Sequence, residues 1–174
     1  EVERRAVWEA ALTAGARECY LIEEPMAAAV GANVSVFEPT GVMTVDIGGG
    51  TTEIAVISLG GIVVNRSLKI AGYDMDQAIV HYIRLKHGLI IGDKTAEDVK
   101  LKIGSAYARK QKPNDKDRKG EPHSERVALV RGRDVERGLP RSLRITESEI
   151  REAIGPVIND IVDSVMEVVE ETPP

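Results

Sequence analysis

Asp46, Gly48, Gly49, Gly50, Thr51 and Thr52 crowd into one short stretch of the chain, and their types suit a single task. Three successive glycines remove every side chain from a turn, so its backbone N–H groups can converge on an anion. A carboxylate precedes the turn and two hydroxyls follow it. Those groups suit a hydrated metal ion and a phosphate. A glycine-rich hairpin that only reverses the chain has the same composition, because a glycine run alone is a weak motif. Elsewhere, Glu24 stands directly before Pro25 and the run Ala27-Ala28-Ala29. Proline is pre-organised for a first helical position and a carboxylate is favoured there, so Glu24 reads as a helix cap. The small alanines would also let this helix approach a ligand closely. Glu97 and Lys100 share a helix face, which by itself reads as a solvated ion pair. His81 and His87 have no partner at metal-binding spacing and read as surface or edge residues. Cys19, in an apolar context, reads as a buried structural cysteine, with a nucleophilic thiol as the alternative.

The elements that must carry these groups follow from periodicity. Residues 3–14 read as a helix with Val7, Ala10, Ala11 and Ala14 on one face. Cys19 to Ile22 reads as a short buried strand, and Pro25 to Gly31 as a helix. Residues 42–70 read as a three-stranded antiparallel meander. The glycine loop lies at one end of it and a two-residue turn at Gly60-Gly61 at the other. A helix follows from Asp74 to His87, with Met75, Ile79, Tyr82 and Ile83 on its apolar side, and Gly88 ends it. Thr95-Ala96-Glu97-Asp98 has the form of a capping box opening a helix that turns Val99, Ile103 and Ala106 to one face. Residues 109–126 are a polar surface loop. Val127–Val130 and Leu143–Ile145 read as strands. Thr146-Glu147-Ser148-Glu149 is a second capping box. The helix behind it runs to about Glu171, with a stripe of Ile150, Ile154, Val157, Ile158, Ile161, Val165 and Val168, and Pro156 is expected to kink it.

Composition narrows the class. The 174 residues are 43% apolar with six aromatics, so the core is aliphatic. A net charge of -5 argues against a nucleic-acid binder. One cysteine excludes a disulfide framework and fits a reducing compartment. No apolar run approaches the roughly 18 residues of a membrane span. No secretory signal opens the chain. It starts on Glu1 inside a helical pattern and ends just behind a long helix, so it reads as a segment of a longer protein.

Three features combine: a Glu24-Pro25 helix start with its alanines, the Asp46–Thr52 loop some twenty residues on, and a subdomain inserted after the meander. Together they resemble the actin-like ATPase superfamily. Within it the chain is most similar to the MreB family of rod-shape-determining bacterial actins. The stretches 20–31, 45–61 and 100–107 carry the likeness, with Val130–Asp134 and Gly138-Leu139-Pro140. Chaperone ATPases of the DnaK type usually have Asn before the Glu-Pro pair and Phe-Asp after the first loop threonine. Here Glu23 and Thr52-Glu53 stand at those positions.

The resemblance implies an α/β fold, an actin-like (ribonuclease H-like) half-domain with an inserted small α+β subdomain. Residues 1–72 and 146–174 would form the lower subdomain and 73–145 the upper one. It implies ATP with Mg²⁺. Asp46 would hold the metal through water, and Gly48, Gly49 and Gly50 would bind phosphates, with Thr52 as a further contact. Thr51 and Glu24 would orient the attacking water. Glu97 would meet the ribose hydroxyls and Lys100 would lie beside the base. The family's first phosphate loop and adenine loop are not in this chain. The parent is therefore expected to be an ATPase and this segment inactive alone. Two alternatives are a nucleotide-binding fragment of a DnaK-type chaperone and a non-hydrolysing assembly module. Implied partners are other copies of the protein in a filament, RodZ and the wall-synthesis machinery. The implied location is cytoplasmic, at the inner face of the cell membrane, with lipid contact only through regions outside this chain.

Overall fold

The computed structural model describes residues 2–108 and 125–173. Most of the expected polar loop, 109–124, lies outside the described residues. Eleven elements follow one another. They are α1 (Val2–Thr13), α2 (Glu24–Gly31), β1 (Val42–Ile47), β2 (Thr52–Ser58), β3 (Gly61–Leu68), α3 (Gly72–His87), β4 (Leu89–Ile90), α4 (Asp93–Ile103), β5 (Val127–Asp134), β6 (Pro140–Thr146) and α5 (Glu147–Glu171). They group into two compact units. The first comprises residues 1–46, 53–66 and 168–174, and the second 47–52 and 67–167.

The first unit is built on the sheet β1-β2-β3. Ile54, Ala55, Val56 and Ile57 of the central strand are all buried, as an apolar strand covered on both faces must be. Ile57 packs with Ala29 of α2 and with Val36, and Met26 and Ile62 lie against them. The turn between β2 and β3 is centred on Leu59-Gly60, one residue earlier than expected. Both have positive φ, 50° and 76°, the condition for the tight turn that matches strand twist. Leu59 N–H bonds to the Glu38 carbonyl and Gly60 N–H to that of Val36, which holds the turn there.

Two expectations fail in this unit. Residues 19–22 form no strand, and Tyr20 and Ile22 are exposed. No strand among the described residues pairs with them, so their apolar character does not produce a ladder. Cys19 is only half-buried. Helix α1 forms as expected but buries no residue.

The second unit holds the larger core. Ile79 and Ile83 of α3, Leu89, Ile91, Val99, Ile103, Ala128, Val130, Ile145 and the Ile150–Ile154 turn of α5 make one cluster. The sheet order is β4-β5-β6, antiparallel throughout. Strand β5 pairs with β6 from Val127↔Thr146 to Arg133↔Pro140. The hairpin is longer than the two short apolar runs suggested, because the exposed arginines of both strands extend the ladder beyond them. Ala128 and Val130 point inward while Leu129 and Arg131 point out.

Helix ends follow local rules unevenly. Gly88 terminates α3 in the left-handed region, φ 59°. Helix α4 starts at Asp93 behind Gly92, two residues before the expected cap, so Thr95 and Glu97 lie within it. It ends at Ile103, which leaves Ala106 outside. The second capping box is present. Glu149 accepts from Thr146 N–H at 3.0 Å, and Glu149 N–H donates to the Thr146 hydroxyl at 3.3 Å. Helix α5 continues without interruption through Pro156, with Ile150, Ile154, Ile161 and Val168 buried on its stripe.

Glu149 also meets His87 Nε2 at 2.8 Å, joining the start of α5 to the end of α3. Burial pushes its carboxyl pKa up, but the Thr146 amide and His87 outweigh this and hold it below its ordinary 4.5. A depressed carboxylate stabilises the fold above its unfolded pKa and loses that contribution as pH falls through the folded one. Glu149→Gln is therefore expected to lower stability at pH 7 by about 1 kcal/mol. In urea unfolding followed by circular dichroism, its deficit against the native chain should shrink towards zero as the pH is taken below 4.5.

Candidate nucleotide cleft

The glycine loop, Gly48 to Thr51, belongs to the second unit, where the first turn of α3 meets it. Gly72 N–H donates to the Gly48 carbonyl at 3.1 Å, and Tyr73 N–H to the Gly49 carbonyl at 2.7 Å. These are the free donors that any helix start presents. The bonds orient the loop. A trans peptide sets its N–H opposite its C=O, and the chain has no cis bond among the described residues. With the carbonyls of Gly48 and Gly49 turned to α3, the N–H groups of Gly49 and Gly50 point the other way. Gly48 N–H closes the loop internally on the Thr51 carbonyl at 2.9 Å. The expectation of three ligand-facing amides thus narrows to those of Gly49 and Gly50.

Neither Gly49 nor Gly50 has a positive φ, and a Cβ on either would meet nothing within 4 Å. The fold of this unit does not require glycine at these two positions. Open space lies where a side chain on either residue would stand.

The loop borders an open cleft of about 550 Å³, lined by Gly48, Gly49, Gly72, Tyr73, Asp93 and Lys94 with Asp76, Glu97 and Lys100. Glu97 and Lys100, remote in sequence from the loop, are thereby brought to it. Their expected mutual pair is absent. Glu97 pairs with Lys94 at 2.8 Å. Lys100 donates to the Gly72 carbonyl at 2.7 Å and lies 2.8 Å from Asp76 Oδ1. The contact with Asp76 is an ion pair without the direction of a hydrogen bond.

Thr52 is a correction. It is fully buried, and its hydroxyl donates to the Ile70 carbonyl at 2.7 Å. A side chain so placed anchors the strand and does not reach a phosphate. Thr51, one residue earlier, is exposed beside the loop. Glu24 and Asp46 belong to the first unit. Glu24 is the exposed first residue of α2, where no side chain caps the helix and Pro25 follows as expected. Asp46 is half-buried near the end of β1. A single carboxylate open to solvent suits Mg²⁺ held through its water shell. Among the described residues, no three His, Cys, Asp or Glu side chains cluster to hold a metal directly.

Gly72, Tyr73 and Asp76 are the site residues that sequence reading passed over. Gly72 and Tyr73 open α3 two residues before the expected start at Asp74. Asp76 carried a faint signal, since it falls in phase with Ile79 and Ile83 on the buried side of α3, where a carboxylate needs a partner. A Cβ on Gly72 would stand 3.2 Å from the Gly48 carbonyl and 3.3 Å from Lys100 Nζ. Gly72→Ala is accordingly expected to displace the loop. Amide resonances of Gly48, Gly49 and Gly50 should move while those of β5 and β6 stay in place; an unmoved loop would refute the contact.

A family model described as MreB/Mbl protein matches residues 1–174. The cell shape-determining protein MreB of Escherichia coli (strain K12) is 49% identical over all 174 residues, which is 46% of that protein. The cell shape-determining protein Mbl of Bacillus subtilis (strain 168) is 43% identical over 173 residues, 48% of its length. The chain thus spans about half the length of the curated relatives it matches. A crystal structure of MreB 5 of Spiroplasma citri bound to AMPPNP matches the whole chain and 48% of that protein, at 41% identity and TM-score 0.89. The same protein bound to ADP matches equally well. Likeness at this level carries the expected fold class with it: α/β, an actin-like half-domain with an inserted α+β subdomain.

Proposed function

We propose, for a chain that belongs to the MreB/Mbl family, that it forms one wall of an ATP site in a bacterial actin-like protein that determines cell shape. The observation carrying this reading is the glycine loop, held with the amides of Gly49 and Gly50 turned away from α3 and with open space where their side chains would stand. Two such donors, fixed before a ligand arrives, suit the β- and γ-phosphates of a nucleotide without reorganisation. The Spiroplasma relative's AMPPNP and ADP supply the class of ligand.

Residue roles follow. Gly48 closes the loop, Gly49 and Gly50 donate to phosphate, and Glu97 on the cleft wall takes the ribose hydroxyls. Lys100 lies at the loop end of the cleft and acts there first through Gly72 and Asp76. Thr51 offers a hydroxyl to the attacking water. Glu24 and Asp46 take their roles from the family resemblance: Glu24 as the carboxylate that orients that water with Thr51, and Asp46 as the ligand of hydrated Mg²⁺. A bound Mg²⁺ would neutralise phosphate charge as it develops. Residues 1–72 with 146–174 as the lower subdomain and 73–145 as the inserted upper one belong to the same reading.

The whole protein, on this proposal, hydrolyses ATP, assembles with its own copies into filaments and directs wall synthesis at the inner face of the cell membrane. RodZ and the wall-synthesis machinery are its partners there. No described helix is long and apolar enough to cross a membrane, and lipid contact is assigned to regions outside this chain. The 174-residue segment alone binds nucleotide without hydrolysing it.

The decisive experiment adds Mg-AMPPNP to the chain and follows amide resonances. Those of Gly49, Gly50 and Glu97 should shift together and saturate. Gly49→Ala, which the fold accommodates, should leave stability within about 0.5 kcal/mol and weaken binding by about tenfold or more. Nucleotide that leaves these amides unmoved, or binds Gly49→Ala as well as the native chain, would overturn the reading. In the whole protein, Glu24→Gln should lower ATP turnover by about 100-fold, as misplacing the attacking water does, with nucleotide still bound.

A further inference from the structure

Asp76 is a carboxylate on the buried side of a helix, only 8% exposed, in a unit whose core is otherwise aliphatic. Burying a charge is costly unless a partner compensates it. The partner is Lys100, from a different helix, at 2.8 Å. The pair does not float between α3 and α4. Lys100 Nζ also donates to the Gly72 carbonyl at 2.7 Å, and Gly72 begins the turn whose amides hold the glycine loop. A chain of contacts therefore runs from Asp76 to Lys100, to the Gly72 carbonyl, to the Gly72 and Tyr73 amides, and on to the carbonyls of Gly48 and Gly49.

Each link constrains the next. Lys100 lacks the planar fork of arginine, and its ammonium would be free to rotate among acceptors. The Asp76 carboxylate, 2.8 Å away, draws it to this side by charge, and the Gly72 carbonyl gives it a directed bond. The ammonium in turn fixes the plane of the Gly72–Tyr73 peptide by its oxygen. That peptide's N–H is the Tyr73 donor to Gly49, the shorter of the two loop bonds at 2.7 Å. A cation on the Gly72 oxygen polarises the peptide and makes the Tyr73 N–H a stronger donor. Packing here is tight: a Cβ on Gly72 would stand 3.2 Å from the Gly48 oxygen and 3.3 Å from Lys100 Nζ, so its neighbours would have to give by a few tenths of an ångström.

We propose that Asp76 and Lys100 are positioning residues for the glycine loop: they lock the first turn of α3 so that the amides of Gly49 and Gly50 stay turned to the phosphate. The inference rests on the nucleotide reading above for the identity of the ligand. The loop's alignment is measurable without any ligand.

The test is residue-resolved hydrogen exchange on the 174-residue chain. In Asp76→Asn the amides of Gly72 and Tyr73 should exchange about tenfold faster or more, the factor expected when a charge-assisted contact is lost. Ile79 and Ile83, in the same helix and core, should stay within about twofold of the native chain. Unchanged exchange at Gly72 and Tyr73 would overturn the proposal. So would equal acceleration at Ile79 and Ile83, which marks a role in stability alone. A single substitution strands the other charge, so a paired variant, Asp76→Leu with Lys100→Met, removes both and must show the same local loss. Lys100→Arg, which keeps the charge beside Asp76, should keep Gly72 and Tyr73 more protected than the paired variant does.

A titration with MgADP separates this inference from the reading beneath it. If the native chain binds, the paired variant should bind about tenfold more weakly, and equal affinity would overturn the positioning role. If the native chain does not bind, the nucleotide reading falls and the exchange data alone decide whether the pair aligns the loop.

Discussion

Two backbone hydrogen bonds organise the site: Gly72 N–H to the Gly48 carbonyl and Tyr73 N–H to the Gly49 carbonyl. A peptide group is rigid, so holding its oxygen aims its nitrogen. The loop therefore needs no side chain of its own to present donors. It borrows orientation from the start of a helix whose first amides have no partner within the helix. Glycine at Gly49 and Gly50 then serves to keep space open, while glycine at Gly72 permits the backbone approach that makes the bonds possible.

The core exists to hold that helix in place. Helix α3 is anchored by Ile79 and Ile83 in the second unit's cluster and ended at Gly88. Its far end is tied to α5 through His87 and Glu149. Its near end is tied to α4 through Asp76 and Lys100. The aliphatic contacts supply most of the stabilisation without direction. The polar ties add direction through hydrogen bonds, His87 with Glu149 and Lys100 with the Gly72 carbonyl, while Asp76 holds Lys100 by charge. A helix held at both ends in this way can act as a fixed platform for a loop that has few restraints of its own.

Much of this was legible beforehand where the determining forces are local. The Thr146–Glu149 capping box, the Gly88 stop and the α5 stripe all depend on residues within a few positions of one another, and all are present. Reading failed where the partner lies far away. The apolar run at 19–22 reads as a strand, yet a strand needs another to pair with. Thr95 reads as a helix cap, yet α4 begins at Asp93. The β2–β3 turn shifted by one residue, because contacts from Val36 and Glu38 hold Leu59 and Gly60.

The glycine loop shows both sides of this divide. Residue types and spacing alone determined that a side-chain-free turn with a preceding carboxylate and following hydroxyls lies between two strands, and they pointed to the family. They could not say which amides face outward, since that depends on Gly72 and Tyr73 reaching back across more than twenty residues. Nor could they separate the two threonines. Thr51 remains exposed, while Thr52 is buried and spends its hydroxyl on Ile70. Lys100 looked like the partner of Glu97, its neighbour on the helix, and is instead the partner of Asp76. A side chain's chemistry is set by its type, but its partner is set by which elements pack together, and only the tertiary structure decides that.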